Sequence, residues 1–323
     1  MTDSGIRRPR RPSALASRRK PEMAFAPSSS ALIGPITAPD LHVMSFNIRR
    51  RMPHLNPRSL DRWVHRQPLL KRLLETEQPA LLGAQEALFD QVNFVRHALG
   101  AHYRSIGYGR EANTGGEGCP IFYDARRLRV LEWQQTALSE TPEVPGSTSW
   151  GNRTPRLVVD ATFRDIATGV EFQAVNTHLD NRSRTSRLRS TDVLRRIVQA
   201  SPLPTIMTGD FNTDAETDPF DQLTGRGLLL DTWDTAEVRL TEVWGTFPNY
   251  RPPQHEHKRI DWILATPGVT ALKAAINVTR YEGGWPSDHA AVQAVLSLIG
   301  TSAPPQGPEA SRPAGPDDTP HPR

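Results

Sequence analysis

Short apolar segments recur through the middle of the chain, many of them closing on polar residues, and only three stretches of helical period lie between them. The segments include "LHVMSFNI" (41–48), "YRSIGYGR", "CPIFYD", "LRVLEWQQTALS", "RLVVDATFRD", "VEFQAVNTHLD", "PTIMTGDFN", "RIDWILAT" and "AAVQAVLSLI". The first helical stretch runs from Leu60 to Leu74. In the second, Leu88, Val92, Val95 and Leu99 keep the spacing of one amphipathic face. In the third, 184–200, Leu188, Thr191, Leu194, Ile197 and Val198 share a side and arginines take the other. An all-β fold leaves these helices unplaced, and a doubly wound sheet needs more of them between strands. Two packed sheets with helices outside satisfy both constraints, which predicts an α/β fold.

Proline and charge mark where that fold should begin and end. Of the 29 prolines in 323 residues, six lie in residues 1–40 and seven in 301–323. Seven of the Lys and Arg residues against three acids also fall in 1–40, so the net +4 of the whole chain is concentrated there. The expected organisation is a disordered basic arm (1–40), one folded domain (41–300) and a disordered Pro-rich tail (301–323). A nearly neutral body weakens the inference that it binds a polyanion through charge alone. The single Cys119 excludes an intramolecular disulfide and a thiolate metal cluster, and reads as an inert thiol. No apolar run is long enough to span a membrane. "EMAFAPSSSALIGPITAP" imitates a secretory signal, but prolines and serines interrupt it. The expectation is therefore a cytoplasmic protein, with secretion left open and no obligate protein partner.

Chemistry gathers where apolar strands end: Asn47, Glu86, Asn176/His178/Asp180, Asp210/Asn212, Asp261 and Asp288/His289. Side chains two apart on a strand share a face, so Asn176, His178 and Asp180 project together, as do Asp210 and Asn212. Taken singly, each has a plain structural explanation in an Asx-turn or a satisfied hydrogen bond. Taken together they bring carboxylates into convergence, which calls for a cation. Carboxylate and amide oxygens without cysteine select a hard ion, Mg²⁺ or Mn²⁺, with zinc through His178 or His289 secondary. A hard ion beside histidines and amides suits hydrolysis of a phosphate ester.

The ordered set "SFNIR", "QE", "NTHLD", "GDFN", "RIDWI" and "SDH", spread over 41–298, resembles the DNase I-like endonuclease/exonuclease/phosphatase superfamily. The resemblance implies a four-layer α/β sandwich with two central mixed β-sheets flanked by helices. It implies Glu86 as principal metal ligand, Asn47 holding the metal or its water, and Asp288 supporting them. Asp210 resembles the residue that orients or deprotonates the attacking water. Asp261 and His289 resemble the acid–histidine pair on the scissile phosphate, and His178 the second histidine. Asn176 resembles a residue that supports phosphate binding and Asn212 one that holds the attacking water or a phosphate oxygen, and Arg187 is the helix arginine expected to turn inward as a phosphate contact.

"YGR", "PIFYD" and "LSETPEVPGSTSWG" are similar to a bacterial branch nearer the deadenylase-like exonucleases than DNase I. The implied activity is hydrolysis of a phosphodiester in a nucleic acid, phospholipid or small metabolite. The alternatives are a phosphomonoesterase on a sugar or nucleotide phosphate, and a catalytically silent polyanion-binding protein.

Overall fold

The alternating patterns form two mixed sheets in the computed structural model, which describes residues 30–299. In chain order the main elements are β1 (Leu41–Asn47), α1 (Trp63–Glu77), β2 (Leu81–Gln85), α2 (Phe89–Leu99), β3 (Tyr103–Ile106), β4 (Ile121–Asp124), β5 (Leu128–Ala137), β6 (Leu157–Asp165), β7 (Glu171–His178) and α3 (Arg184–Ala200). There follow β8 (Thr205–Asp210), α4 (Asp218–Thr224), β9 (Leu230–Asp231), α5 (Thr232–Thr235), β10 (Val238–Arg239), β11 (Asp261–Ala265), β12 (Thr270–Asn277) and β13 (Ala291–Ser297). One sheet has the order β10-β12-β13-β1-β2-β4-β3, the other β5-β6-β7-β8-β11-β9.

The inner faces meet in an apolar layer that includes Leu41, Val43 and Leu81 from one sheet and Phe163, Phe172, Ile206 and Ile263 from the other. Behind the first sheet, Leu70 and Leu74 of α1 and Val95 of α2 pack with Met44, Phe46 and Leu82. Behind the second, Leu194 and Val198 of α3 pack with Val175 and Met207, and Leu223 of α4 joins Trp262. The result is the helix–sheet–sheet–helix order expected from the sequence. Among the described residues, no helix is long and apolar enough to cross a membrane.

Period-2 geometry converts these strands into a graded inner face. Along β1 the inner residues are Leu41, Val43, Ser45 and Asn47; along β7 they are Phe172, Ala174, Asn176 and His178; along β8, Ile206, Thr208 and Asp210. β11 runs antiparallel to β8 and starts at the polar end with Asp261. The apolar filling therefore gives way to buried polar groups at one edge of the sandwich. Just below that edge the sheets come close: a Cβ on Gly83 would lie 2.0 Å from Thr208 Oγ1, so only glycine fits.

Residues 30–40, which the proline and charge counts group with the arm, pack on the body. The backbone N–H groups of Leu32, Ile33 and Gly34 donate to the buried Glu77 carboxylate at the end of α1. His42 links Gly34 O to Gln293 Oε1. The remainder of the expected arm, 1–29, and the expected tail lie outside the described residues.

Candidate active site

Three of the side chains expected in the site come from one row of a single sheet. His178 on β7 is the Cα partner of Asp210 on β8, and Asp210 that of Asp261 on β11, so strand pairing alone sets them side by side. His289, two residues before β13, reaches across from the other sheet and donates from Nδ1 to Asp261 Oδ2 at 2.9 Å. Its Nε2 faces Asp210 Oδ2 at 3.7 Å. Burial works against charging this imidazole, but the carboxylates of Asp261 and Asp210 outweigh it and hold the pKa above the ordinary value. Asp210 is raised to about 7, first by burial and then by the charge of Asp261. Its oxygens are positioned by Asn212 N–H at 2.9 Å and Asn47 Nδ2 at 2.9 Å.

On the first-sheet side, Glu86 follows β2 in a left-handed conformation, φ 60°, that turns its carboxylate off the strand. Burial opposes its ionisation, yet the Arg50 N–H, the His289 charge, the Asn47 amide and Arg49 hold it below the usual carboxylate range. Asp288 is raised, by burial first. Both carboxylates converge on Arg49, whose Nη1 is 3.7 Å from Glu86 and whose Nε is 3.5 Å from Asp288. Arg49 is itself clamped by Asp61 through two bonds of 3.2 and 3.1 Å. Two acids already sharing one cation, with only oxygen donors, fit a hard divalent ion. Glu86, Glu117 and His178 each offer a ligand atom within 4.8 Å of one another, as do Asp210, Asp261 and His289. Asn47 presents its amide nitrogen to Glu86 and Asp210, while its oxygen accepts from Arg49 N–H. It links these carboxylates, and its oxygen, which accepts one hydrogen bond, keeps a second lone pair.

His178 is buried and neutral. Burial first, then the charges of Arg156, Arg110 and His289, push its pKa well below the ordinary value. Asn212 donates to His178 Nε2 at 2.9 Å and to Leu179 O at 3.0 Å. Both amide protons are thereby spent, so Asn212 braces His178 and has no amide proton left for a phosphate oxygen.

Two expected phosphate contacts lie elsewhere. Asn176 shares the inner face with His178 but sits one pair deeper and has no exposure. Its oxygen accepts from Gln85 Nε2 at 2.8 Å and Thr208 Oγ1 at 3.0 Å, and its nitrogen faces three backbone carbonyls. It is a strut between the sheets: parity gives the face but not the depth. Asn176→Ala should lower unfolding stability by about 2–4 kcal/mol, through buried groups left unpaired, with KM unchanged; denaturant titration and steady-state kinetics check this. Arg187 does turn inward, but its Nη1 donates to Asp180 O at 2.8 Å. Asp180 itself ties down the loop before α3 by accepting from Arg182 and Ser183 N–H.

Arg110 lies in a loop that the sequence marks as a candidate rim, but the sequence reading does not single out Glu117, the acid on which it closes. Arg50 and Arg110 both reach Glu117 Oε1, at 2.9 and 2.8 Å. The available signal was an acid in the glycine-rich segment "TGGEGCP" downstream of two arginine-bearing motifs. Cys119 is an inert thiol as expected, its pKa pushed up to about 12 by burial.

Residues 44–289 match the endonuclease/exonuclease/phosphatase family. A family protein from Bacteroides vulgatus is 32% identical, with TM-score 0.73 over 80% of this chain and 99% of that one. The mannosyl-6-phosphatase of Bacteroides thetaiotaomicron is 29% identical, with TM-score 0.73 over 79% of this chain and 99% of that one. Nocturnin of Drosophila melanogaster is 26% identical over an alignment of 237 residues that covers 67% of this chain and 35% of that longer protein.

Proposed function

The chain belongs to the endonuclease/exonuclease/phosphatase family, and from that premise we propose how its residues divide the work of a divalent-metal-dependent phosphoesterase. The reaction is attack of water on phosphorus, assisted by aspartate and histidine. The observation that carries this reading is the buried row His178–Asp210–Asp261 with His289 bridging from the opposite sheet.

Asp210 Oδ2 takes the proton from water: its raised pKa makes it a base poised near neutrality, and Asn47 and Asn212 fix its direction. Asp261 accepts from His289 Nδ1–H, and the carboxylates of Asp261 and Asp210 keep the ring doubly protonated, so Nε2–H donates to a phosphoryl oxygen as charge develops there. His178, neutral and braced by Asn212, contributes a hydrogen bond and no charge. Glu86 and Asp288 would hold Mg²⁺ or Mn²⁺, with Asn47 ordering the carboxylates. When bound, such an ion supplies neutralisation of phosphoryl oxygens and polarisation of water.

A phosphodiester and a phosphomonoester both suit this constellation. The similarity to the mannosyl-6-phosphatase over nearly all of that chain favours a sugar-phosphate monoester as the second reading beside the diester expected from the sequence. Both are tested by assaying p-nitrophenyl phosphate, bis-p-nitrophenyl phosphate, sugar phosphates, RNA and phospholipid in Mg²⁺ and Mn²⁺, with Asp210→Asn as the control. Metal-dependent release from one class, absent in the variant, supports the reading. Turnover that survives both chelation and the substitution refutes it.

A further inference from the structure

Arg156, the residue before β6, is 5% exposed. Its Nε donates to Asp180 Oδ2 at 3.4 Å, while Nη1 is buried without any hydrogen-bond partner. Buried donors are nearly always paired, and an unpaired one on a permanent cation calls for an acceptor. Antiparallel pairing of Val158 with Thr177 sets Arg156 at the level of the end of β7, and its bond to Asp180, two residues beyond His178, keeps its head on that side of the site, where its charge acts on His178. Arg110 stands beside it at 15% side-chain exposure, sharing Glu117 with Arg50. Arg50 and Arg110 thus share Glu117, and Arg156 reaches Asp180 through Nε alone, so its Nη1 remains a buried donor with no acceptor.

We propose that Arg156, with Arg110 beside it, is the specificity residue for a terminal, dianionic phosphate: Nη1 takes the third non-bridging oxygen that a phosphomonoester has and a phosphodiester lacks. In a diester that position carries a second ester group, which offers no anionic oxygen to the guanidinium and occupies the space beside it. The inference rests on the phosphoesterase reading and selects its monoester branch.

The test is calorimetric binding of inorganic phosphate and of dimethyl phosphate to the Mg²⁺-loaded full chain, in wild type, Arg156→Gln and Arg156→Lys. Phosphate affinity should fall about tenfold or more in Arg156→Gln and recover in part in Arg156→Lys, as loss of one charge-assisted contact predicts. Dimethyl phosphate affinity should change less than about twofold, because the proposed contact is to an oxygen it lacks. Unchanged phosphate binding, or equal losses for both ligands, overturns the proposal. If Arg156→Gln does not fold, the comparison rests on Arg156→Lys and on Arg110→Gln, each of which should weaken phosphate and spare dimethyl phosphate. Turnover is scored separately: a wild type that hydrolyses no phosphate ester removes the phosphoesterase reading, whereas turnover with phosphate binding indifferent to Arg156 removes this inference alone.

Discussion

Asp210→Asn should lower kcat by about 10³-fold or more, the scale of a lost general base in a preorganised site. The fold should persist, because the substitution keeps the size of the side chain and removes the like-charge repulsion that Asp261 exerts on it. The cost is one donor facing another: Asn47 Nδ2 and Asn212 N–H both point at Asp210 oxygens, and an amide satisfies only one of them. The unfolding free energy should therefore change by no more than about 1–2 kcal/mol. The same residue sets the acid limb of the pH–rate profile. Its pKa is raised, so the competent carboxylate form is scarce below about 7, and kcat should climb with pH through that region before levelling. In Asp210→Asn the residual rate should lose this limb. A variant with wild-type turnover, or one retaining the limb at full amplitude, would assign proton transfer to another group.

Removing the metal should have an effect of comparable size. Chelation should take turnover to background, and Mg²⁺ or Mn²⁺ should restore it. Glu86→Gln should raise the metal concentration giving half-maximal rate by at least about 100-fold, since even residues behind a metal ligand are worth 10–100-fold. The physical reason lies in the pair Glu86 and Asp288, which share the guanidinium of Arg49 and the charge of His289. With one carboxylate neutralised, those cations meet a single negative charge and the attraction for a divalent ion drops. Metal titration of the rate, with calorimetry in the absence of substrate, separates lost affinity from lost chemistry. A Glu86→Gln enzyme with unchanged metal dependence would move the ion to the Asp210, Asp261 and His289 group.

Much of this site is legible from strand patterning, for a local reason. "AVNTHLD" and "PTIMTGDFN" carry their chemistry at the ends of apolar period-2 runs, and parallel pairing of β7 with β8 sets His178 opposite Asp210. The three helical stretches became α1, α2 and α3; α2 and α3 bury the apolar face that the spacing marks, whereas Leu60 stays outside α1 and Val64 is exposed, so that only Leu70, Leu73 and Leu74 of the first stretch are buried. Depth is not encoded that way. Asn176 obeys the same parity as His178, yet lies among Gln85 and Thr208, where the two sheets close on Gly83. β12, "TALKAAIN", was missed because alanine and lysine favour helix over strand; pairing with β13 along nearly its whole length overrides that preference. Arg110 and Glu117 come from the β3–β4 loop and Arg156 from the segment before β6, with no shared period, so only the folded chain brings them together near His178. Arg49 belongs to the quoted "SFNIR" motif, but its place between Glu86 and Asp288 depends on Asp61 and on a left-handed turn, φ 55°.

The most direct test of the central claim is the stereochemical course at phosphorus. A chirally isotope-labelled thiophosphate ester of whichever class is turned over, hydrolysed in isotopically labelled water, reports whether water attacks phosphorus in one step. A single in-line displacement assisted by Asp210 and His289 predicts inversion, with the solvent label in the phosphate product. Retention would require a covalent enzyme intermediate, and label in the alcohol would mean cleavage of the C–O bond; either result contradicts the account.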